Sequence, residues 1–236
     1  MAKSRFQRTK ISEPVSIVAH QLKNPISVLN GYIEVLISGE IGKINKKQKE
    51  YLTDALKNVG AMSKMVNDLL DVSKIEEGEY SVEPQSTDLI KITKEIISDL
   101  SDWAKASNCK IVFDKPKDLP PVLVDPSKIK YAIKNFIANS ITYRSPGPGM
   151  IEVKLEKKGN NIIFSCKDNG IGIPKKDFRR VFSKFYRSEE AVSLNPAGTG
   201  LGLYINKAVI ELNKGKIWFK KNKGNGMTFY FSLPIV

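Results

Sequence analysis

The sequence predicts an α + α/β chain, an N-terminal helical hairpin over residues 1–78 followed by a two-layer α/β sandwich over residues 79–236. Three observations carry this. The first third holds two long runs of apolar residues spaced three and four apart, the helical period. From Ser81 onward, shorter helical stretches alternate with runs rich in β-branched and aromatic residues. Two regions, near 151–167 and 216–233, read as β-hairpins, which suits a mixed sheet with helices on one face. The 236 residues suffice for a core in each part. A content of 41% hydrophobic and 27% charged residues is that of an ordinary globular chain.

The first helix follows from Leu22, Ile26, Leu29, Ile33 and Leu36, a heptad seam that extends back to Ala19 and Val15. Pro14 suits a first turn, so the helix begins near Ser12 and runs over about 12–37. Gly39 and Gly42 break it, and Asn45 closes the connection. Leu52, Leu56, Val59, Met62, Val66, Leu69 and Val72 define the second helix, over about 46–76, with Gly78 as its C-cap. A hairpin with one apolar seam per helix cannot close a core alone. Two hairpins side by side can, so a homodimeric four-helix bundle is expected. Packing of the hairpin on the second part of the same chain is the other solution.

Beyond Ser81, helical stretches are expected at about 88–106, 126–143, 175–182 and 200–213. Short β-like runs lie at 110–113, 122–124, 151–155, 162–166, 216–219 and 228–231.

One histidine and two well-separated cysteines, Cys109 and Cys166, exclude an ordinary Cys/His zinc site and a disulfide framework. No apolar run approaches the ~18–20 residues that span a bilayer. The basic start Met1–Phe6 is followed by no apolar signal core. The chain is therefore expected to be cytoplasmic, reaching a membrane only through a sensor region not present here; the core of a longer, membrane-anchored protein reads the same way. The net charge of +13 is uneven. Residues 1–78 carry 12 Lys/Arg and 9 Asp/Glu, residues 79–236 carry 26 and 16. A local cluster holds Lys175, Lys176, Arg179, Arg180, Lys184 and Arg187. No nucleic-acid-binding signature accompanies it, so no nucleic acid is expected as partner, and a solvated surface accounts for part of the charge.

Two glycine segments stand out. Asp168-Asn169-Gly170-Ile171-Gly172-Ile173-Pro174 follows a predicted strand, and Gly198-Thr199-Gly200-Leu201-Gly202-Leu203 opens a predicted helix. Glycines before a helix let backbone N–H groups approach a phosphate. Neither segment is a Walker A or a Rossmann fingerprint, and either alone is also an ordinary turn. Upstream, Asn135 and Asn139 lie four apart on one helix face, where amide oxygens are hard ligands for a divalent cation. Between the glycine segments come Phe182-Ser183-Lys184-Phe185-Tyr186-Arg187 and a polar, lid-like stretch, Ser188–Ala197.

In order, these elements resemble the four nucleotide-binding boxes of the sensor histidine kinases, within the GHKL ATPase superfamily. The asparagine box is 135–139, the first glycine box 168–174, the phenylalanine box 182–187 and the second glycine box 198–203. The first third resembles the family's dimerisation and phosphotransfer domain, with His20-Gln21-Leu22-Lys23-Asn24-Pro25 as its histidine box. The resemblance covers nearly the whole chain. It implies a GHKL-type sandwich over 79–236 that binds ATP and Mg²⁺.

By the same resemblance, Asn139 coordinates Mg²⁺ with Asn135 in support, and Asp168 accepts a hydrogen bond from the adenine amino group. Gly170 and Gly172 let the backbone pass under the base, and Tyr143 lines the nucleotide. Gly198, Thr199, Gly200, Leu201 and Gly202 shape the lid and phosphate contacts. Lys184 and Arg187 supply phosphate charge, and Phe182 and Phe185 anchor the lid. His20 is the implied phospho-acceptor, placed by the heptad outside the apolar stripe, with Asn24 one turn away. The implied activity is a protein-histidine kinase whose partner is the receiver domain of a response regulator. Gln21 stands where the family carries Glu or Asp, and Thr142 where Lys is common. Gln21 motivates the alternative of a catalytically weak relative acting as a response-regulator phosphatase or ATP-binding scaffold. A GHKL clamp ATPase is a further reading, against which the histidine box argues.

Overall fold

The computed structural model describes residues 12–235, with side chains from Ile17 onward. The basic start Met1–Phe6 falls outside what is described, as does the side chain of the seam position Val15. The chain divides between Tyr80 and Ser81 into two compact units.

The first unit pairs α1 (Ser12–Ser38) with α2 (Lys46–Glu77). Asn45 starts α2 with a reciprocal cap: its side chain accepts from the Gln48 N–H at 2.9 Å, and the Gln48 side chain accepts from the Asn45 N–H at 2.8 Å. Gly78 ends it in the left-handed region, φ 76°. Ala19, Ile26, Val59 and Val66 are buried between the helices, with Ile33, Leu69 and Leu70 packed against them. The seam is thus split. Its positions seven apart on α1 (19, 26 and 33) turn toward α2, while Leu22, Leu29 and Met62 remain 44%, 48% and 48% exposed. The physical reason is the width of the apolar stripe, which one partner helix cannot cover.

The second unit is a five-stranded mixed sheet in the order β2-β4-β5-β7-β6. The strands are β2 (Cys109–Asp114), β4 (Gly149–Lys158), β5 (Asn161–Asp168), β6 (Lys216–Lys221) and β7 (Met227–Pro234). Only β2 and β4 pair in parallel, and α4 (Pro126–Thr142) lies within the crossover between them. α3 (Leu89–Ala106), α4 and α6 (Gly202–Leu212) complete the helical layer. Alternation along β4 and β5 sends Ile151, Val153, Leu155, Ile162, Phe164 and Cys166 inward. Opposite them α4 buries Ile129, Ile133, Phe136, Ile137 and Ile141. At the centre Phe164 stacks on Phe231 at 4.7 Å, and Phe136 lies 6.1 Å from Phe164 and 5.5 Å from Phe229.

Three elements differ from the sequence expectation. The run 122–124 is β3 (Val122–Val124), which pairs with β1 (Gln85–Thr87) in a separate two-stranded sheet. β1 has three residues, two of them polar, too few for a period-two signal. The stretch expected as a helix at 175–182 is a 3₁₀ turn over Lys175–Arg180 that buries none of its residues. The polar segment after it contains a short helix, α5 (Glu189–Leu194), which Ser188 caps by accepting from the Ala191 N–H. No helix among the described residues is long and apolar enough to cross a membrane.

Both tryptophans, Trp103 and Trp218, lie in the second unit, so fluorescence follows its unfolding selectively. Phe136→Ala removes the ring that joins α4 to three strand aromatics, and is expected to destabilise that unit by about 3–5 kcal/mol in urea denaturation.

Candidate active site

His20 is exposed on α1, beside buried Ala19, and Gln21 and Asn24 are exposed with it. Pro25 lies inside the same helix. It has no N–H to give the Gln21 carbonyl one turn back, so the backbone beside the histidine lacks one helical bond.

In the second unit Asp168, Gly170 and the Tyr143 carbonyl meet at the carboxyl end of β5. One Asp168 carboxylate oxygen accepts from the Gly170 N–H at 2.9 Å and the Met227 N–H at 3.2 Å. Burial pushes this carboxyl above the ordinary carboxylate range, against the pull of those two N–H groups and of the Ser140 hydroxyl. The Asp168 main-chain carbonyl accepts from Asn222 Nδ2 at 2.7 Å. Next to it, the Cys166 thiol is pushed up to about 12 by complete burial, with Ser140 Oγ at 3.4 Å, so it stays a thiol.

The first glycine segment is stitched to the end of α4. The Ile171 N–H donates to the Tyr143 carbonyl at 3.0 Å. A Cβ on Gly170 would lie 2.3 Å from that same oxygen, so only glycine fits. Tyr143 therefore acts on the segment through its backbone. Gly172 follows with φ 74°.

Asn135 and Asn139 do different things. Asn135 Nδ2 donates to Asn206 Oδ1 at 3.2 Å, and Asn206 Nδ2 in turn donates to the Ala132 carbonyl at 3.2 Å, tying α4 to α6. A Cβ on Gly202 would come within 2.6 Å of the Asn135 amide, so the first turn of α6 rests directly on it. Asn139, one turn further along α4, is half-buried and its side-chain amide has no hydrogen-bond partner among the described residues. That open amide oxygen in a protected place fits a hard divalent cation.

The lid segment holds two departures. Phe182 does pack on apolar surface, 5.8 Å from Phe219, which Phe178 also meets edge-on at 5.1 Å. Phe185 does not: its backbone is left-handed, φ 59°, and its ring is 61% exposed. Arg187, expected to face phosphate, turns instead into the lid. Its terminal nitrogens donate to the carbonyls of Pro196 (3.2 Å), Gly198 (2.8 Å), Ala191 (2.7 Å) and Asn195. Lys184 Nζ is exposed, 6.0 Å from the Tyr204 ring. Thr199 Oγ1 accepts from the Leu201 N–H at 3.3 Å, Gly200 is left-handed at φ 69°, and Leu201 is fully buried, so it offers a ligand only main chain.

Sequence reading missed Ser140, Asn206, Asn222 and Met227. Ser140 directly follows the asparagine box, a signal that was available. The others come from α6 and the β6–β7 hairpin and join the site only through the sheet register.

Residues 11–78 match the family model of the His Kinase A (phospho-acceptor) domain, and residues 124–236 that of the histidine kinase-, DNA gyrase B-, and HSP90-like ATPase. Sensor histidine kinase WalK of Bacillus subtilis is 31% identical over 224 residues, covering 94% of this chain and 36% of its own length. The non-motile and phage-resistance protein of Caulobacter vibrioides is 30% identical over 229 residues, 95% of this chain and 27% of its own. The chain thus spans about a third of the length of these curated relatives. The crystal structure of full-length ShkA in complex with AMPPNP has the same fold over 95% of this chain and 46% of its own, with a TM-score of 0.73 at 21% identity. With a phospho-acceptor domain and an ATPase domain following one another along one chain, the protein belongs to the sensor histidine kinases.

Proposed function

We propose that this chain is a two-component kinase core that transfers the γ-phosphoryl group of ATP to His20 and then passes it to an aspartate on the receiver domain of a response regulator. The observation that carries this reading is the presence, on one chain, of an exposed histidine in the phospho-acceptor hairpin and a half-buried carboxylate at the first glycine box of the ATPase domain.

In this reading the second Asp168 carboxylate oxygen accepts from the adenine amino group. The Gly170 turn leaves room for the base, and Lys184 and the backbone N–H groups opening α6 face the phosphates. Asn139 holds Mg²⁺, while Asn135 keeps α6 at the right height through Asn206. Mg²⁺, when bound, neutralises phosphate charge and orients the transferring group. A neutral His20 ring nitrogen attacks the γ-phosphorus with its lone pair. The bond from that phosphorus to the β,γ-bridging oxygen breaks, and ADP leaves with the electron pair. The other ring nitrogen sheds its proton to water, since the Gln21 amide is no base. Positioning and charge neutralisation supply most of the acceleration.

The hairpin is proposed to work as a homodimer, because Leu22, Leu29 and Met62 form an apolar strip that α1 and α2 leave open and a second copy of the same hairpin would cover.

Four tests follow from this reading. Incubation with γ-labelled Mg-ATP should place acid-labile, alkali-stable label on the protein, and none on His20→Ala; label surviving that change would refute the acceptor. Asp168→Asn should weaken ATP binding by about tenfold or more in calorimetry, through loss of a charge-assisted bond. The same variant should raise the unfolding midpoint at pH 7. An acid whose pKa is raised on folding lowers stability as pH rises from the ordinary carboxylate range through the raised value. The amide removes that loss, and the gain should vanish as pH falls back toward the ordinary range. Leu29→Glu should turn a dimer into a monomer in sedimentation of the full chain.

A further inference from the structure

We infer that the edge strand β6 is a docking site for an extended acidic peptide, which joins the five-stranded sheet as a further strand with its carboxylates over Lys216 and Lys220.

β6 ends the sheet order, so one of its two edges pairs with no strand. Among the described residues, no main-chain hydrogen bond reaches it from outside the β6–β7 ladder. Such an edge is a row of N–H and C=O groups that a further strand satisfies. Alternation decides which side chains that strand meets. Ile217 and Phe219 lie in register with buried Phe231 and Phe229, on the helical side of the sheet. Lys216, Trp218 and Lys220 therefore share the opposite face. The two lysines stand about 13 Å apart along the strand. Between them Trp218 stacks on Tyr230, with ring centroids 5.3 Å apart and planes at 3°. Lys220 Nζ lies 6.0 Å from the same Tyr230 ring.

Charge decides which strand fits. Lys214, Lys216, Lys220, Lys221 and Lys223 are all exposed, and residues 212–236 hold no Asp or Glu. None of these lysines has an ion pair among the described residues. Toward the other side of the same sheet face, the lysines are already neutralised. Lys154 meets Glu156 at 3.1 Å and Asp114 at 3.7 Å, and Lys167 meets Glu152 at 2.9 Å. The uncompensated charge is thus confined to the β6 edge. Like charges directly opposite each other repel, so a second copy of β6 is a poor partner. A strand with an acid, an apolar residue and an acid at alternate positions answers Lys216, Trp218 and Lys220 together, while its main chain pairs with the edge.

The probe is a capped heptapeptide, Thr-Glu-Thr-Val-Thr-Glu-Thr, titrated at low salt into the isotope-labelled full chain and followed by NMR. Trp218 and Trp103 give separate indole N–H signals, assigned with Trp103→Phe. The Trp218 signal should move and that of Trp103, on α3, should stay. Amide hydrogen exchange along β6 should slow. Reversing both charges, Lys216→Glu with Lys220→Glu, should weaken binding of this peptide by about tenfold. The same double variant should bind the peptide with lysine in place of glutamate instead. Both positions are exposed, and an unmoved Trp103 signal checks that the fold is kept. A Trp218 signal that does not respond to millimolar peptide would overturn the proposal. So would an equal response to a peptide with proline in place of threonine, which lacks the N–H groups that strand addition needs. Binding to phosphatidylserine vesicles with no response to the peptide would also overturn it, and would assign the basic edge to a membrane surface.

Discussion

At the end of β5 a single carboxylate is held between two hairpin-forming segments: Asp168 accepts from the N–H of Gly170 on one side and of Met227 on the other. Burial raises its proton affinity, and the N–H groups hold it in one orientation. The neighbouring pieces depend on this arrangement. The Gly170 turn continues into the Ile171 bond to the Tyr143 carbonyl, which fixes the end of α4. Asn222 secures the Asp168 backbone from the β6–β7 side. Under the proposed function, a carboxylate acceptor in a partly dry corner, with its backbone tied on two sides, serves to recognise one donor on a flat ligand. The stability lost by burying it is a cost that function explains.

The helical layer carries the same logic outward. Asn135 and Asn206 bond to each other between α4 and α6, so the glycine that opens α6 can rest on an amide instead of an aliphatic side chain. Two polar groups satisfied against each other add little net stability but fix the spacing of the helices. Asn139, identical in type and one turn away, makes no such bond. The lid is built the opposite way, with few buried apolar contacts beyond Phe182 and with its backbone carbonyls gathered onto Arg187. A segment ordered chiefly by hydrogen bonds of one side chain has a stability that can be switched without unfolding the core beneath it.

Much of this was legible in the chain itself. Helix ends at Asn45 and Gly78 were readable because capping is a local event. The order of the asparagine, glycine and phenylalanine boxes along the sequence fitted the fold that the structure shows. What the sequence did not reveal is long-range or conformational. Met227 reaches Asp168 only because β5 and β7 are neighbours in the sheet. Phe185 has the composition of an anchor, but its left-handed backbone turns the ring to solvent, and no residue pattern announces that φ. Arg187 sits in a basic run, and nothing in that run announces its four carbonyl partners. The heptad seam was right as a stripe yet blind to its division, since period alone does not say how much of a face one neighbour covers.

In the proposed function the hairpin and the sandwich meet two different demands, an accessible nucleophile on one and a selective, partly desolvated pocket on the other. The claim that joins them is that the Asp168 corner reads the adenine amino group. Comparing ATP with inosine triphosphate, which carries an oxygen at that position, tests it on the unmodified protein. The account predicts markedly tighter binding of ATP, because the carboxylate meets a donor in one ligand and another acceptor in the other. Equal affinity for the two would contradict it.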